Sequence, residues 1–149
     1  MVIYTSDVNE TIELGYKIGS LLEEGMVILL EGDLGAGKTT FTKGIGKALG
    51  INKTINSPTF TIMKAYKGRL NLYHLDLYRI EKIMDEFDLE EYIDGNGVSV
   101  IEWPSQAVEL LPKEHLKVII NNCEDKRKFT FSAIGKRYEK LMEELRWIS

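Results

Sequence analysis

The chain contains 149 residues, of which 44% are hydrophobic and 28% charged, with a formal net charge of −4 and a pI near 5.3. This length predicts a single domain over residues 1–149, and no apolar run approaches the ~18 residues that cross a membrane. Because phosphate contacts supply most of the affinity of a free-standing nucleic-acid binder, the acidic balance argues against direct, base-specific nucleic-acid binding.

Two features of the sequence predict the cellular compartment. Cys123 is the single cysteine, so no disulfide can form within the chain. The N-terminal residues have neither the basic start nor the long apolar core of an export signal. We therefore expect a reducing, cytoplasmic environment.

The first predicted elements are a helix and a strand. Residues from Asp7 to Glu24 carry apolar side chains at helical spacing. Asp7 with Glu10 three positions later suits an N-terminal capping arrangement, and Gly25 is expected to end the helix. The apolar run Met26–Leu30 then has the length of a buried strand.

A glycine-rich stretch follows this strand. Gly32-Asp33-Leu34-Gly35-Ala36-Gly37-Lys38-Thr39 fits the phosphate-binding pattern G-x-x-x-x-G-K-[ST] at every fixed position. Its glycines allow backbone conformations that other residues avoid, so successive N–H groups can surround anionic oxygens. In this pattern Lys38 contacts the β- and γ-phosphates of a nucleotide, and the Thr39 hydroxyl is a Mg²⁺ ligand.

The helix predicted over Thr39–Leu49, with Gly50 as its stop, supplies the context that the pattern requires. Thr39 and Thr40 begin this helix, whose unpaired N–H groups and positive dipole end face the phosphates. Strand, glycine loop and helix in this order predict nucleotide binding rather than a turn that binds nothing.

The remaining elements predict a mixed sheet. They are strands over Thr59–Tyr66, Leu70–Leu75 and Val98–Trp103, an acidic helix over Ile80–Tyr92, a short helix from Pro104 to Leu111, an antiparallel hairpin around Leu116–Ile120 and Phe129–Ala133, and a last helix marked by Tyr138, Leu141, Met142 and Leu145. The first two of these strands are joined by a turn at Lys67-Gly68-Arg69. The predicted fold class is α/β, a three-layer α/β/α domain of the P-loop NTPase type with a mixed sheet and a C-terminal antiparallel hairpin.

Two acids follow predicted strands, at the edge where ligands bind in open α/β sheets. Asp76 follows Leu70–Leu75, and Glu102 follows Val98–Ile101. Hydrolysis of a nucleotide needs a carboxylate that helps to hold Mg²⁺ and a group that orients the attacking oxygen. We predict metal-binding or catalytic roles for both acids, the alternatives being a helix cap at Asp76 and a solvated charge at Glu102.

Three further side chains have a functional and a structural interpretation. Thr59, after Ser57-Pro58, offers its hydroxyl to Mg²⁺ or the γ-phosphate, as switch loops do, or it simply begins a strand. Trp103 stacks on the nucleotide or a partner, or it belongs to the core. His74 is interpreted as a packed strand histidine rather than a base.

The sequence also bears on the identity of the base. Guanine-specific hydrolases carry N-K-x-D after a strand, whereas Asn122-Cys123-Glu124-Asp125 has Cys in place of Lys and is interpreted as a hairpin turn. ATP is therefore favoured over GTP by elimination. Arg127, in the basic segment after this turn, is our candidate for contact with adenine.

The phosphate loop is one of four motifs that together resemble the TsaE family (also called YjeE), which consists of small bacterial P-loop ATPases. The others are Ser57-Pro58-Thr59-Phe60, His74-Leu75-Asp76-Leu77-Tyr78-Arg79 and Ile101-Glu102-Trp103-Pro104, in this order and spacing. The resemblance covers essentially the whole chain, with a looser match at Asp85-Glu86-Phe87-Asp88.

The resemblance implies ATP and Mg²⁺ as cofactors and a role in forming threonylcarbamoyladenosine in tRNA, beside the proteins TsaB and TsaD. It implies that the protein binds the TsaB–TsaD complex and hydrolyses ATP to reset it, without transferring the carbamoyl group itself. By position, it implies phosphate and Mg²⁺ contacts for Lys38 and Thr39, Mg²⁺-binding and hydrolytic roles for Asp76 and Glu102, a switch-like loop at Thr59, and a place beside the site for Trp103.

Two other functions use the same nucleotide cradle. A small-molecule kinase would transfer the phosphoryl group to an acceptor, but no arginine-rich lid that would close over an acceptor is evident in the sequence. A nucleotide-sensing binding module would bind ATP with negligible turnover.

Overall fold

The computed structural model describes residues 1–32, 37–55, 63–76, 96–102 and 111–148. In these ranges the strands are β1 (Val2–Thr5), β2 (Val27–Gly32), β3 (Met63–Tyr66), β4 (Asn71–Asp76), β5 (Gly97–Glu102), β6 (His115–Cys123) and β7 (Lys126–Ile134). The helices are α1 (Val8–Leu21), α2 (Lys38–Ala48) and α3 (Lys136–Ile148). The strands join in one sheet, which confirms the predicted α/β fold class.

The sheet is mixed, as predicted, with strand order β1-β7-β6-β2-β5-β4-β3. Its centre is parallel, because β2 pairs in parallel with both β5 and β6, and β4 pairs in parallel with β5. Its two margins are antiparallel, formed by β3 on β4 at one side and by β7 and β1 at the other. The predicted C-terminal hairpin is confirmed as β6 and β7.

Strand β1 was not predicted from the sequence. Residues Val2–Thr5 pair in antiparallel fashion with β7, with Val2 opposite Thr130 and Thr5 opposite Arg127. The strand has four residues, and its partner lies more than 120 residues away in the chain. Its existence therefore depends on long-range pairing rather than on a local pattern.

Helix α1 begins as the capping arrangement predicts but ends earlier than expected. The Asp7 carboxylate accepts the N–H of Glu10 at 2.8 Å, and the Glu10 carboxylate accepts the N–H of Ser6 at 3.0 Å. The helix ends at Leu21 rather than at Glu24, since the following residue, Leu22, is extended and buried. Residues 23 and 24 are both acidic, and negative charge is unfavourable at the C-terminal end of a helix.

The three helices cover the same face of the sheet. A single cluster of buried side chains joins Ile28 and Leu30 of β2 to Ile18 of α1, Ile45 of α2 and Leu141 of α3. All six residues of β5 are buried, the pattern of a central strand covered on both faces, which fits the predicted three layers. Helix α3 is also tied to the sheet by a hydrogen bond, in which the Val27 N–H donates to the Tyr138 hydroxyl oxygen at 2.7 Å.

Helices α1 and α2 cross at glycines. A Cβ atom at Gly15 would overlap the carbonyl oxygen of Phe41, and one at Gly44 would overlap the carbonyl oxygen of Ile12. The two backbones therefore approach more closely than side chains would allow. This contact fixes the position of α2, and hence of the phosphate loop that precedes it.

The predicted turn at Lys67-Gly68-Arg69 is confirmed between β3 and β4. It is hydrogen-bonded to the C-terminal ends of α1 and α2. The Arg69 guanidinium donates to the carbonyl oxygens of Gly19 at 3.1 Å and Ala48 at 3.3 Å. The Arg69 N–H donates to the carbonyl oxygen of Leu49 at 2.7 Å. The last carbonyl groups of a helix lack hydrogen-bond partners within it, so Arg69 supplies donors to the C-terminal ends of two helices.

Other predicted elements lie partly or wholly outside the described residues. These are positions 59–62 of the strand predicted over Thr59–Tyr66, the helix over 80–92, and positions 104–110 of the short helix that begins at Pro104. Within the described ranges, no helix is both long enough and apolar enough to cross a membrane.

Candidate functional site

The phosphate loop connects the end of β2 to the start of α2, as predicted. Gly32 ends β2, and Gly37 immediately precedes the first helical residue, Lys38. Gly37 has φ of +106°, which disfavours any residue with a Cβ. At Gly32 the requirement is space, because a Cβ there would overlap the carbonyl oxygen of Ile120 on the neighbouring β6.

The N-terminal end of α2 is suited to an anion. Gly37 has no side chain that could cap the helix, and the first turn holds no acidic residue. Thr39 and Thr40 are the second and third residues of the helix, so their N–H groups have no partner within it. Free N–H groups and the positive end of a helix dipole favour phosphate oxygens at this place.

The ammonium group of Lys38 lies between the loop and the sheet edge. Its Nζ donates to the carbonyl oxygen of Gly32 at 2.8 Å and lies 4.0 Å from Oε1 of Glu102. The Lys38 side chain is 13% exposed and that of Glu102 7% exposed. A lysine from the loop and an acid from a strand end are thus brought together, as their sequence contexts predict.

The two predicted acids, Asp76 and Glu102, lie side by side at the carboxyl ends of β4 and β5. Asp76 and Glu102 are register partners in the parallel pair β4–β5, and Glu102 is also paired with Leu30 of β2. Register partners on neighbouring strands point to the same face of a sheet. Since Leu30 belongs to the cluster packed under the helices, both carboxylates lie on the side of the sheet that carries α2.

His74 contributes a contact that sequence reasoning missed. It is fully buried, as expected for a packed strand histidine, but its Nε2 also lies 2.9 Å from Oε2 of Glu102. The signal available in the sequence was positional, because residues 74 and 76 of a strand share a face, and this face also carries Glu102. His74 Nδ1 has no hydrogen-bond partner in the part of the chain that the structure describes.

A cavity of about 220 Å³ lies beside the start of α2. Its lining residues come from the N-terminal segment, the loop end and the β6–β7 turn: Thr5, Ser6, Asp7, Val8, Thr11, Gly37, Thr40, Asp125 and Arg127. Arg127, the predicted adenine contact, is held by a hydrogen bond to Asn122 Oδ1, and its Nε would be 3.8 Å from a Cβ at Gly37. Sequence reasoning did not predict that residues 5–11 line this cavity, since β1 must pair with β7 to bring them here.

The turn after β6 agrees with its interpretation from the sequence. Cys123 pairs with Lys126, so Glu124 and Asp125 form the connection between the strands. Glu124 takes a positive φ of 57°. The stretch that keeps the Asn and Asp of a guanine-binding motif is therefore a hairpin turn.

The donor set at the sheet edge fits Mg²⁺ held together with a nucleotide. Among the described residues, no three or more His, Cys, Asp or Glu side chains cluster as a metal site. Mg²⁺ prefers oxygen and is usually bound by one or two carboxylates together with substrate phosphates and water. Asp76, Glu102 and the Thr39 hydroxyl offer that chemistry and need the phosphates to complete it.

Some predicted site residues lie outside the described residues. They are Asp33, Leu34, Gly35 and Ala36 of the loop, Thr59, and Trp103. Their roles stay predictions.

Comparison with known proteins gives concordant matches. The family model described as "Threonylcarbamoyl adenosine biosynthesis protein TsaE" matches residues 5–129. The tRNA threonylcarbamoyladenosine biosynthesis protein TsaE of Bacillus subtilis is 48% identical over 143 residues, covering 95% of this chain and 90% of that protein. The protein of the same name from Treponema pallidum is 48% identical over 106 residues, covering 70% and 78%.

A solved structure is similar over nearly the full length. The crystal structure of YdiB from Bacillus subtilis superposes with a TM-score of 0.88 at 42% sequence identity, covering 99% of this chain and 95% of that one. The similarity therefore extends through the N-terminal strand and the C-terminal hairpin and helix.

Proposed function

The chain belongs to the TsaE family, and from this membership we propose that it acts in the biosynthesis of threonylcarbamoyladenosine in tRNA. In this proposal the protein binds and hydrolyses ATP with the help of Mg²⁺, and it works on the TsaB–TsaD complex. The pathway follows from the names of its relatives. The observation that carries the ATPase part is the approach of Lys38 Nζ to the Glu102 carboxylate at the N-terminal end of α2. This arrangement combines a phosphate contact with an acid at one sheet edge.

In this proposal the loop and the first turn of α2 bind the triphosphate. The N–H groups of Thr39 and Thr40 donate to phosphate oxygens, and Lys38 places its charge on the β- and γ-phosphates. Its hydrogen bond to Gly32 holds the ammonium group at the end of β2, so little side-chain freedom has to be lost on binding.

Asp76, Glu102 and Thr39 would hold the metal ion. Bound Mg²⁺ neutralises phosphate charge and polarises the terminal phosphoryl group. Because Glu102 is nearly buried and beside Lys38, its carboxylate can serve as a ligand or orient the attacking water. Both roles place it next to the terminal phosphate.

The cavity beside α2 is our proposed site for adenine. Adenine offers an amino group as donor and ring nitrogens as acceptors. The carboxylates of Asp7 and Asp125 in the cavity can accept hydrogen bonds from the amino group. The guanidinium of Arg127 can donate to the ring nitrogens or stack on the ring.

The proposal is tested by measuring phosphate release from ATP with the protein alone, with the TsaB–TsaD complex, and with that complex and tRNA. We expect slow release alone and faster release with the complex. The Lys38→Ala variant is expected to be inactive throughout. Lys47→Ala, which removes an exposed lysine from the last turn of the same helix, is the matched control and should retain activity.

The same experiment separates the other two functions. Transfer of labelled phosphate to a small acceptor instead of to water would indicate a kinase. Binding of ATP without acceleration by the complex would indicate a nucleotide-sensing module. Formation of threonylcarbamoyladenosine that is independent of this protein would contradict its role in the pathway.

A further inference from the structure

The two oxygens of the Glu102 carboxylate have different surroundings. Oε2 is 2.9 Å from Nε2 of His74, whereas Oε1 faces Nζ of Lys38 across 4.0 Å. We infer that His74 is a positioning residue: it binds one oxygen of Glu102 and thereby directs the other toward the phosphate loop. The catalytic consequence of this inference rests on the proposed function, but the hydrogen bond itself does not.

The direction of the hydrogen bond follows from the chemistry of the pair. An ionised carboxylate only accepts hydrogen bonds, so Nε2 of His74 must carry the hydrogen. Nδ1, the other ring nitrogen, has no hydrogen-bond partner within the described residues. A hydrogen bond to a metal-binding or catalytic side chain from the residue behind it commonly fixes the orientation of that side chain.

The burial of His74 favours a functional over a structural explanation. The ring is fully buried, and its neighbours in register and along the strand, Val100 and Leu72, are apolar members of the core. An apolar side chain would fill this position without leaving a buried nitrogen unsatisfied, which costs free energy. The residue that stands here instead is one that can donate to Glu102.

Without His74, the attraction between Glu102 and Lys38 would act on both carboxylate oxygens. The backbone of Glu102 is paired with Leu30 on one side and Asp76 on the other, so only its side chain can turn. The present separation of 4.0 Å is longer than a hydrogen bond. Without the hydrogen bond from His74, the Glu102 carboxylate can rotate into direct contact with Lys38. It would then neutralise the ammonium charge that, in the proposed function, binds phosphate.

The kinetic test compares two variants of the whole chain with the wild type, with the TsaB–TsaD complex present. His74→Leu removes the donor at similar volume and should lower kcat by about 10- to 100-fold. His74→Gln can still donate to Glu102 and should recover most of that loss. If His74→Leu does not fold, His74→Asn replaces it, because its amide stays polar but is too short to reach Glu102.

A double-variant cycle shows whether His74 acts through Glu102. In a Glu102→Gln background, the change at His74 should have little further effect on kcat, because the group that it positions is gone. Wild-type turnover in His74→Leu would overturn the inference, as would equal losses in the Gln and Leu variants or additive losses in the double variant. Circular dichroism and thermal unfolding establish that each variant is folded.

A second measurement is independent of ATP hydrolysis. The chain has two histidines, and the other, His115, has Nδ1 2.9 Å from the carbonyl oxygen of Pro112, so its hydrogen must be on Nδ1. At a pH where both rings are neutral, a long-range ¹H–¹⁵N spectrum should therefore show two opposite tautomers, assigned with a His115→Gln variant. An unprotonated Nε2 on His74 would overturn the inference. If the wild type hydrolyses no ATP, the proposed function fails, and this spectrum still decides the hydrogen bond.

Discussion

Lys38 combines two roles that are usually considered separately. Its Nζ donates a hydrogen bond to the Gly32 carbonyl oxygen and approaches Glu102, so the ammonium group joins the start of α2 to the end of β2 and, in the proposed function, also offers its charge to a ligand. Hydrogen bonds to charged groups contribute about 1.5–3 kcal/mol. Loss of this group should therefore be evident in nucleotide affinity.

The first prediction concerns this lysine. Lys38→Ala should weaken MgATP binding by about 10- to 100-fold, the affinity equivalent of that hydrogen-bond energy, as measured by isothermal titration calorimetry. Lys47→Ala, with the same change of charge on the same helix, should bind as the wild type does. Equal affinities in the two variants would contradict the assigned role of Lys38.

The second prediction separates the two possible roles of Glu102. If the carboxylate orients water, Glu102→Ala should bind MgATP nearly as well as the wild type while phosphate release falls by about 10²-fold or more. If it is mainly a metal ligand, affinity for ATP should fall only when Mg²⁺ is present. Binding with and without Mg²⁺ and single-turnover hydrolysis distinguish these results, and no effect on either would remove Glu102 from the site.

The third prediction concerns Tyr138, whose hydroxyl oxygen accepts the buried N–H of Val27. Tyr138→Phe leaves that N–H without its partner and should lower the free energy of unfolding by about 1–3 kcal/mol in urea denaturation. Burial, which outweighs the opposite effect of the Val27 hydrogen bond, raises the pKa of Tyr138 above its ordinary value.

The raised pKa adds a pH dependence to this prediction. The folded state keeps the Tyr138 proton more tightly than the unfolded chain does, so this contribution to stability is complete below the ordinary tyrosine pKa of about 10. It is lost as the pH rises from there through the higher pKa of the folded state. The difference between wild type and Tyr138→Phe should therefore narrow above about pH 10, and a constant difference would contradict this account.

At the scale of single residues, the sequence is informative where a residue type is chemically indispensable. The placement of Lys38 near Glu102, and of Glu102 beside Asp76, could be predicted from the motif and from the positions of the two acids after strands, whereas their roles stay predictions. The contact of His74 could not be predicted, because a histidine in an apolar strand is compatible with simple packing until its partner across the sheet is known. The same holds for Thr5 and its neighbours in the cavity beside α2.

At the scale of elements, the crossing of α1 and α2 leaves no room for added side-chain atoms. Gly15 faces the backbone at Phe41, and Gly44 faces the backbone at Ile12. Interiors are packed as densely as organic crystals, so an added methyl group here has no space to occupy. Both helices would have to move apart, and α2 would carry Lys38 with it.

The fourth prediction follows from this contact. Gly15→Ala would ordinarily stabilise a helix by about 0.5–1 kcal/mol, but here it should destabilise the protein by about 1–3 kcal/mol in urea denaturation. Glu13→Ala, at an exposed position of the same helix, should stay within about 0.5 kcal/mol of the wild type. An unchanged or raised stability of Gly15→Ala would show that the helices can separate without cost.

Elements with a strong local pattern could be predicted, and those that depend on distant partners could not. Helix α2 was predicted to within one residue at each end, because a glycine precedes it and Gly50, with a positive φ of 76°, follows it. Strand β1 has no such pattern and owes its structure to β7. The early end of α1 could not be predicted, because Leu22 continues the apolar spacing of Leu14 and Ile18 and yet has an extended backbone.

At the scale of the whole molecule, the mixed character of the sheet could be predicted, but the strand order could not. The hairpin pattern shows that β6 and β7 are antiparallel. No local sequence pattern shows that β6 pairs with β2. In this pair the carbonyl oxygen of Ile120 lies so close to Gly32 that a Cβ atom there would overlap it. This neighbourhood also brings the β6–β7 turn, and with it Arg127, to the phosphate loop.

The fifth prediction concerns the response of the whole protein to its proposed ligand. MgATP at about 100 times its Kd should raise the free energy of unfolding by about 2.7 kcal/mol, equivalent to about 5–10 °C in Tm for a chain of this size. Removal of Mg²⁺ with EDTA should abolish most of this shift, and Lys38→Ala should reduce it. An identical shift in the presence of EDTA would argue that the metal has no part in binding.

The attachment of Arg69 to Gly19, Ala48 and Leu49 has a mechanical consequence. The turn that leads into β4, and so to His74 and Asp76, is hydrogen-bonded to the C-terminal ends of α1 and α2, and α2 carries Lys38 at its other end. Lys38 and Asp76 thus lie at the far ends of two elements, α2 and β4, that Arg69 joins at their near ends. Amide protons near Arg69 should exchange with solvent as slowly as those of the central strands, because their exposure requires the β3–β4 turn to separate from the ends of α1 and α2.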